Sequence, residues 1–319
     1  MTNKFFENLL SVKEYNETSI IVRFCFIKIK FPKLRFIIAK MNSPFYKYKK
    51  NKIDITTIPA ATGQLREIQL ANLSLLKEVD VFFKQEGVPY WLDGGTLLGA
   101  IRHKGYIPWD DDIDLLMLRK DYEKVIDIIN TNTKNPDIYA EYYRMKTHPS
   151  VIFIKVRHKK CPHLFVDIFP ADVYGRGLSV EEQNKRADKI IEIRKELART
   201  VSSNISDNEL IDLINKTTKE RILSDAVPDD IQNCDVIWGI DFHHFHHNLF
   251  MNYNKIFPLK EVEFEGIMMP IPNDYDYYLK QSYGDYMAYP DKLAIGHAAF
   301  MEIDKSEKEN IKRLINTNI

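Results

Sequence analysis

The chain has 319 residues, 45% hydrophobic and 12% aromatic, and its 45 basic and 45 acidic side chains give a formal net charge of zero. That is enough apolar material for one large folded domain or two ordinary ones, and it excludes a disordered chain. The three scattered cysteines, Cys25, Cys161 and Cys234, suggest no disulfide framework, and "SIIVRFCFIKIKF" is broken by Arg23, Lys28 and Lys30, so neither a secretory signal nor a membrane-spanning helix is expected.

Residues 1–60 read as a basic leader: Ser19 to Ile53 carries ten Lys or Arg and no acid. Such a segment suits an anionic membrane surface or an acidic glycan, where each cation contributes roughly 1 kcal/mol. A solvated edge packed on the domain is the plainer reading. "LREIQLANLSLLKEVDVFFKQEG" repeats apolar residues at helical spacing and stops at Gly87, which predicts an amphipathic helix with a glycine cap. "VPYWLD" predicts a short strand that runs into Gly94 and Gly95, "TLLGAIRH" a short helix, and "GYIPWDD" a loop fixed by Gly105 and Pro108. "DIDLLML" predicts a strand and "RKDYEKVIDIIN" a helix.

"SVIFIKVRH" and "HLFVDIF" predict two more strands bounded by prolines. From Ser179 the chain turns to charged helices, "SVEEQNKRADKIIEIRKELARTV" and "SDNELIDLINKTTKERILSDA". These are followed by a hairpin in "EVEFEGIMMPIP", an aromatic helix in "DYDYYLKQSYGDY" and a final charged helix. The expected class is α+β: residues 61–178 as a core with a small mixed β-sheet and flanking helices, and residues 179–319 as a mainly helical subdomain covering it.

The chemistry concentrates in "WLDGGTLLGAIRHKGYIPWDDDIDLLM". If strand geometry extends back through the acidic run, Asp110, Asp112 and Asp114 share one face and Asp111 points away. Two carboxylates about 4 Å apart repel by about 4 kcal/mol at an effective dielectric of 20, so a folded chain keeps such a row for a cation or a proton. Hard oxygen ligands suit Mg²⁺ or Mn²⁺, whose shell is completed by water and phosphate oxygens. Gly94 and Gly95, between a strand and a helix N-terminus, let backbone N–H groups approach an anion, and Thr96 offers a further donor. A lone glycine pair is usually a turn and a lone "DDD" a solvated loop; the two together in one unit are far more specific.

A third acid is expected from a separate strand. Asp167, flanked by Val166 and Ile168 on the opposite face, is the choice, since an acid inside an apolar strand is costly unless paired. Asp172, beyond Pro170, is expected in a loop. Arg102, His103 and Lys104 are placed to brace phosphate oxygens, Arg102 by bidentate hydrogen bonds, against the plain reading of an exposed helix end. Trp109 and Trp91 could stack on a base or enclose a quaternary ammonium group, with Trp91 the better candidate for the core. In "DFHHFHH", His243, His244 and His247 have helical metal spacing, but packing and solvent exposure account for them more simply. Tyr283, Gly284 and Asp285 are expected either to shape a substrate pocket or simply to end a helix.

"DGGTLLGAIRHKGYIPWDDDIDL" resembles the signature of the LicD family, bacterial phosphocholine transferases that share a catalytic domain with fukutin and fukutin-related protein. The resemblance is dense over Tyr90 to Leu118. It continues more loosely through "FVDIFPAD" and "MPIPNDYDYYLKQSYGDYMAYP", and "FIKIKF" resembles the leader of glycan-decorating members. It implies a nucleotidyltransferase-like fold and transfer of a phospho-alcohol, phosphocholine foremost, from a CDP-linked donor to a sugar hydroxyl of a cell-surface glycan or glycolipid, with release of CMP. The acids call for Mg²⁺ or Mn²⁺, the scattered cysteines for the cytoplasm and the basic leader for a place at the inner face of the membrane, and no nucleic-acid partner is expected. By position, Gly94 and Gly95 match the glycine motif, Asp112 and Asp114 the metal pair and Asp167 the third acid, with Asp110 as an auxiliary ligand. His297 matches a C-terminal histidine, whereas the arginine that often accompanies it is replaced by Lys292. Two competing expectations are a transferase that moves a nucleoside monophosphate onto a small molecule, protein or RNA, and a non-catalytic binding relative.

Overall fold

A computed structural model describes residues 10–16, 19–24, 27–32, 44–176, 178–202, 204–223, 231–242, 250–290 and 302–318. His243, His244, His247, His297 and Lys292 lie outside the described residues. The first elements are three antiparallel strands, β1 (Leu10–Asn16), β2 (Ser19–Phe24) and β3 (Ile27–Pro32), which the sequence reading missed. In their register Val22 pairs with Val12 and Ile29, and Arg23 pairs with Ser11 and Lys28.

After a short helix α1 (Pro44–Lys50) comes the long α2 (Gly63–Glu86), ended by Gly87 at φ 67°, whose N–H caps the Phe83 carbonyl. Then follow β4 (Trp91–Leu92), α3 (Gly94–His103), β5 (Asp114–Leu118), α4 (Arg119–Asn132), β6 (Ile138–Arg144), β7 (Ile152–His158) and β8 (Cys161–Arg176). The predicted helices and strands of this region are all present, and β6 is added to them.

With β9 (Cys234–Trp238) and β10 (Phe250–Asn252), the central sheet has seven strands in the order β10-β9-β8-β5-β4, and β7 pairs with β8 and carries β6. Its backbone is the 16-residue β8. One edge pairs in parallel with β5; the other pairs antiparallel first with β7 and then with β9, which carries β10. The sheet is mixed and flanked by helices, so the α+β class holds.

The helices α5 (Val180–Thr200) and α6 (Asp207–Thr217) open with Ser179 and Ser206 capping boxes and share a core with β8–β10 around Ile190, Leu210, Ile214 and Ile237. Because β9 and β10 extend the same sheet, a boundary at 178 cuts through a shared structure. The hairpin β11 (Lys260–Phe264) and β12 (Ile267–Ile271) leads to α7 (Tyr275–Tyr283), and α8 (Lys305–Asn318) packs along α2. The main core, from Ile68 to Ile311, runs beneath the acidic loop and holds Trp91, Leu92, Ile113 and Leu115 fully buried.

Candidate active site

Strand β4 lies antiparallel to β5, and the Asp93 N–H donates to the Asp114 carbonyl at 3.0 Å, so the glycine turn is stitched to the start of the acidic strand. Gly94 takes a left-handed φ of 54°, and a Cβ there would sit 2.7 Å from Asp114 Oδ2. At Gly95 a Cβ would sit 2.6 Å from Asp110 Oδ2. The doublet is therefore required by the carboxylates themselves, which press against the N-terminus of α3, where the helix field favours negative charge. Thr96 is buried, and its hydroxyl accepts the Asp114 N–H at 2.8 Å.

Strand geometry begins only at Asp114; residues 110–113 form an irregular loop, so face alternation does not govern the acidic run. Asp110, Asp111 and Asp112 each bring a carboxylate oxygen within 4.8 Å of the others, which corrects the expectation that Asp111 points away. Two buried amides on the core face of α2 hold the loop: Gln69 donates to the Asp110 carbonyl at 2.7 Å and Asn72 to the Asp111 carbonyl at 2.9 Å. The Asn72 side-chain oxygen also accepts the Phe165 N–H, tying the loop to β8.

Charge crowding is marked. Burial, then Asp112 and Asp111, push the Asp110 carboxyl well above the ordinary range. Burial, then Asp112, Asp167, Asp93 and Asp110, do the same to Asp114. Such a group binds either protons or a cation.

Asp167 stands beside Asp114 in parallel register, with Val166 and Ile168 buried on the other face as expected. Both its oxygens accept hydrogen bonds from Lys155 Nζ, at 2.6 and 2.8 Å. Asp172 is not in a loop: it lies in β8, buried and ion-paired to Arg119, which also holds Asp241.

Asp93 was not singled out from the sequence. It is buried, accepts hydrogen bonds from the Tyr278 hydroxyl at 2.7 Å and Trp238 Nε1 at 3.1 Å, and is pushed upward by burial.

The acids open onto a cleft of about 580 Å³. Asp110, Asp112 and Asp114 border it together with Gly95; Arg102 and Trp109 also line it, and Tyr283, Tyr286 and Tyr289 come from the C-terminal part of the chain. The buried Arg102 donates to the Tyr286 carbonyl at 2.8 Å, and burial lowers its pKa to about 10, which leaves it charged at neutral pH. Trp109 packs edge-on against Phe45, 4.9 Å between ring centres. Trp91 is fully buried beside Phe257, 5.5 Å away, and belongs to the core. Lys104 caps α3 at φ 55° and is exposed; it does not border the cleft, contrary to the expectation that it braces phosphate there. His103 is held largely neutral, its pKa lowered to about 4 by burial and Arg102. A second cavity of about 470 Å³, between α2 and the end of α4, is bordered by none of the predicted site residues.

The family described as LicD/FKTN/FKRP, nucleotidyltransferase domain, matches residues 87–200, which span the glycine doublet, the acidic loop and Asp167. The chain is 28% identical over 257 residues to the lipopolysaccharide cholinephosphotransferase LicD of Haemophilus influenzae, covering 71% of this chain and 92% of that protein. It is 29% identical over 129 residues to the ribitol 5-phosphate transferase FKRP of Homo sapiens, 40% of this chain and 24% of that one. Over 71 residues it is 37% identical to the ribitol-5-phosphate transferase FKTN of Mus musculus, 22% of this chain and 14% of that one. Residues 87–200 thus match the LicD/FKTN/FKRP nucleotidyltransferase domain, and the chain is similar to a LicD cholinephosphotransferase along nearly the whole of that protein.

Proposed function

We propose that this chain transfers a phospho-alcohol, phosphocholine foremost, from a CDP-linked donor to a sugar hydroxyl of a cell-surface glycan such as lipopolysaccharide, releasing CMP. The observation that carries this reading is the convergence of Asp110, Asp112 and Asp114 on one arginine-bearing, aromatic cleft. The similarity to the Haemophilus cholinephosphotransferase, along nearly the whole of that protein, supports the transferred group.

A divalent ion fits the residues present. Carboxylate oxygens of Asp110, Asp111 and Asp112 lie within 4.8 Å of one another, and the Asp110 and Asp114 carboxyls are driven toward protonation without a cation. Asp112 and Asp114, with Asp110 beside them, would hold Mg²⁺ or Mn²⁺; when bound, the ion supplies positive charge to the donor diphosphate. Arg102 offers its guanidinium to phosphate oxygens from the cleft wall. Trp109 and Tyr289, gathered on Phe45, offer ring faces to a trimethylammonium group or to cytosine.

In the reaction the acceptor oxygen forms a bond to the phosphorus bearing the alcohol, and the bond from that phosphorus to the bridging diphosphate oxygen breaks. CMP leaves with that electron pair, and the acceptor proton passes to a carboxylate at the cleft. The chain's contribution is positioning and charge stabilisation. The basic run from Ser19 to Ile53 favours work at an anionic membrane surface on the cytoplasmic side.

The test is CMP release from a panel of CDP-alcohols with Mg²⁺ and a glycan acceptor, beside an Asp112→Asn control. Metal-dependent release from one donor, lost in the control, is the expected result. A nucleotide retained on the product would instead identify nucleotidyl transfer.

A further inference from the structure

Lys155 on β7 stands opposite Asp167 on β8, and Asp167 stands opposite Asp114 on β5, so the three residues form one row across the sheet on a common face. Neighbouring strands are about 4.8 Å apart, which puts Asp167 midway between the lysine and the acidic cluster. Lys155 is only 6% exposed, and its ammonium lies 3.5 Å from the Phe165 ring centre and 4.8 Å from that of Tyr143. A buried ammonium in an otherwise apolar strand is costly unless its charge is used. Here the ammonium donates to both oxygens of Asp167 while lying over the aromatic rings.

In two-metal phosphoryl-transfer sites the ions sit about 3.5–4 Å apart, held by shared carboxylates. Asp167, next to Asp114, is the carboxylate placed to share. A second dication on Asp167 would lie within a few ångströms of the Lys155 ammonium, and its repulsion would be twice that between two unit charges at the same distance.

Building on the reading of Asp112 and Asp114 as metal ligands, we infer that Lys155 takes the place of a second metal ion. The site binds one divalent cation, and the Lys155 ammonium, bonded to both oxygens of Asp167, occupies the place a second cation would take. Lys155 is thus a positioning residue acting through Asp167.

The experiment is a Mn²⁺ titration of the full chain, with free Mn²⁺ read by electron paramagnetic resonance and the melting temperature followed in parallel. The wild type and Lys155→Arg each bind one Mn²⁺ per chain. Lys155→Met, left with an uncompensated Asp167, binds two, and Mn²⁺ raises its melting temperature by more than it raises that of the wild type. Two ions in the wild type, one ion in Lys155→Met, or a Lys155→Met chain that stays unfolded at saturating Mn²⁺ would each overturn the inference. No Mn²⁺ bound by the wild type would overturn the metal-site reading itself, a different result from a count of two.

Discussion

Gly95 shows how closely the acidic cluster is fitted to the helix it faces. A methyl group there would meet the Asp110 carboxylate at 2.6 Å without any backbone strain, so Gly95→Ala moves a charged group and little else. A misplacement on the order of 1 Å in such a site costs roughly a hundredfold in rate. Gly95→Ala is expected to lower CMP release by about that factor while the melting temperature changes by only a few degrees; unchanged turnover would show that Asp110 has no part in the chemistry. Asp110 and Asp114 also set a pH dependence. Their carboxyls are raised in the folded chain, so the stability they contribute is full below the ordinary carboxylate pKa of about 4 and is lost as pH rises through their folded values. Without divalent ions, the melting temperature of the wild type should therefore fall relative to Asp114→Asn as pH rises above the ordinary carboxylate range, and Mg²⁺ should restore it. Parallel profiles for the two proteins would contradict the assignment.

At the scale of elements, the acidic loop depends on two amides of α2. Asn72 bonds the Asp111 carbonyl and the Phe165 N–H, and a buried group left without its partner costs about 1–3 kcal/mol. Asn72→Ala should lower the melting temperature by several degrees and weaken Mn²⁺ binding, both readable in one thermal titration. The helix was legible in the sequence because its period and its Gly87 cap are local features, and Gln69 and Asn72 could have been picked out as polar residues on its buried stripe. The acidic run was legible as a cluster but not in geometry: nothing local says that extended pairing starts at Asp114 rather than Asp110. Lys155 in "VIFIKVRH" and Asp93 in "WLDGG" passed unnoticed because their partners, Asp167 and the Tyr278–Trp238 pair, are reached only through strand pairing and long-range packing. Asp172 was misjudged for the same reason, since β8 continues past Pro170 to meet β9.

Across the whole molecule, the C-terminal part of the chain shares the central sheet through β9 and β10, strands too short to announce themselves in sequence. The basic leader, by contrast, is read from charge alone, with ten Lys or Arg and no acid from Ser19 to Ile53. The full chain should sediment with anionic vesicles at low salt and be released as ionic strength rises. A chain lacking residues 1–43 should stay in the supernatant yet retain CMP release; equal sedimentation of both would remove the leader from membrane contact.

Strand β5 is pinned at both ends. Thr96 holds the Asp114 backbone at its start, and just past its end Arg119 is clamped between Asp172 and Asp241. The floor of the cleft is thereby anchored to the core, whereas Tyr283, Tyr286 and Tyr289 reach the cleft from a separate stretch of chain beyond α7. Such a division would let the acidic floor stay fixed while the facing wall varies with the donor. Swapping residues 275–290 between relatives should therefore exchange donor preference and leave the metal requirement intact.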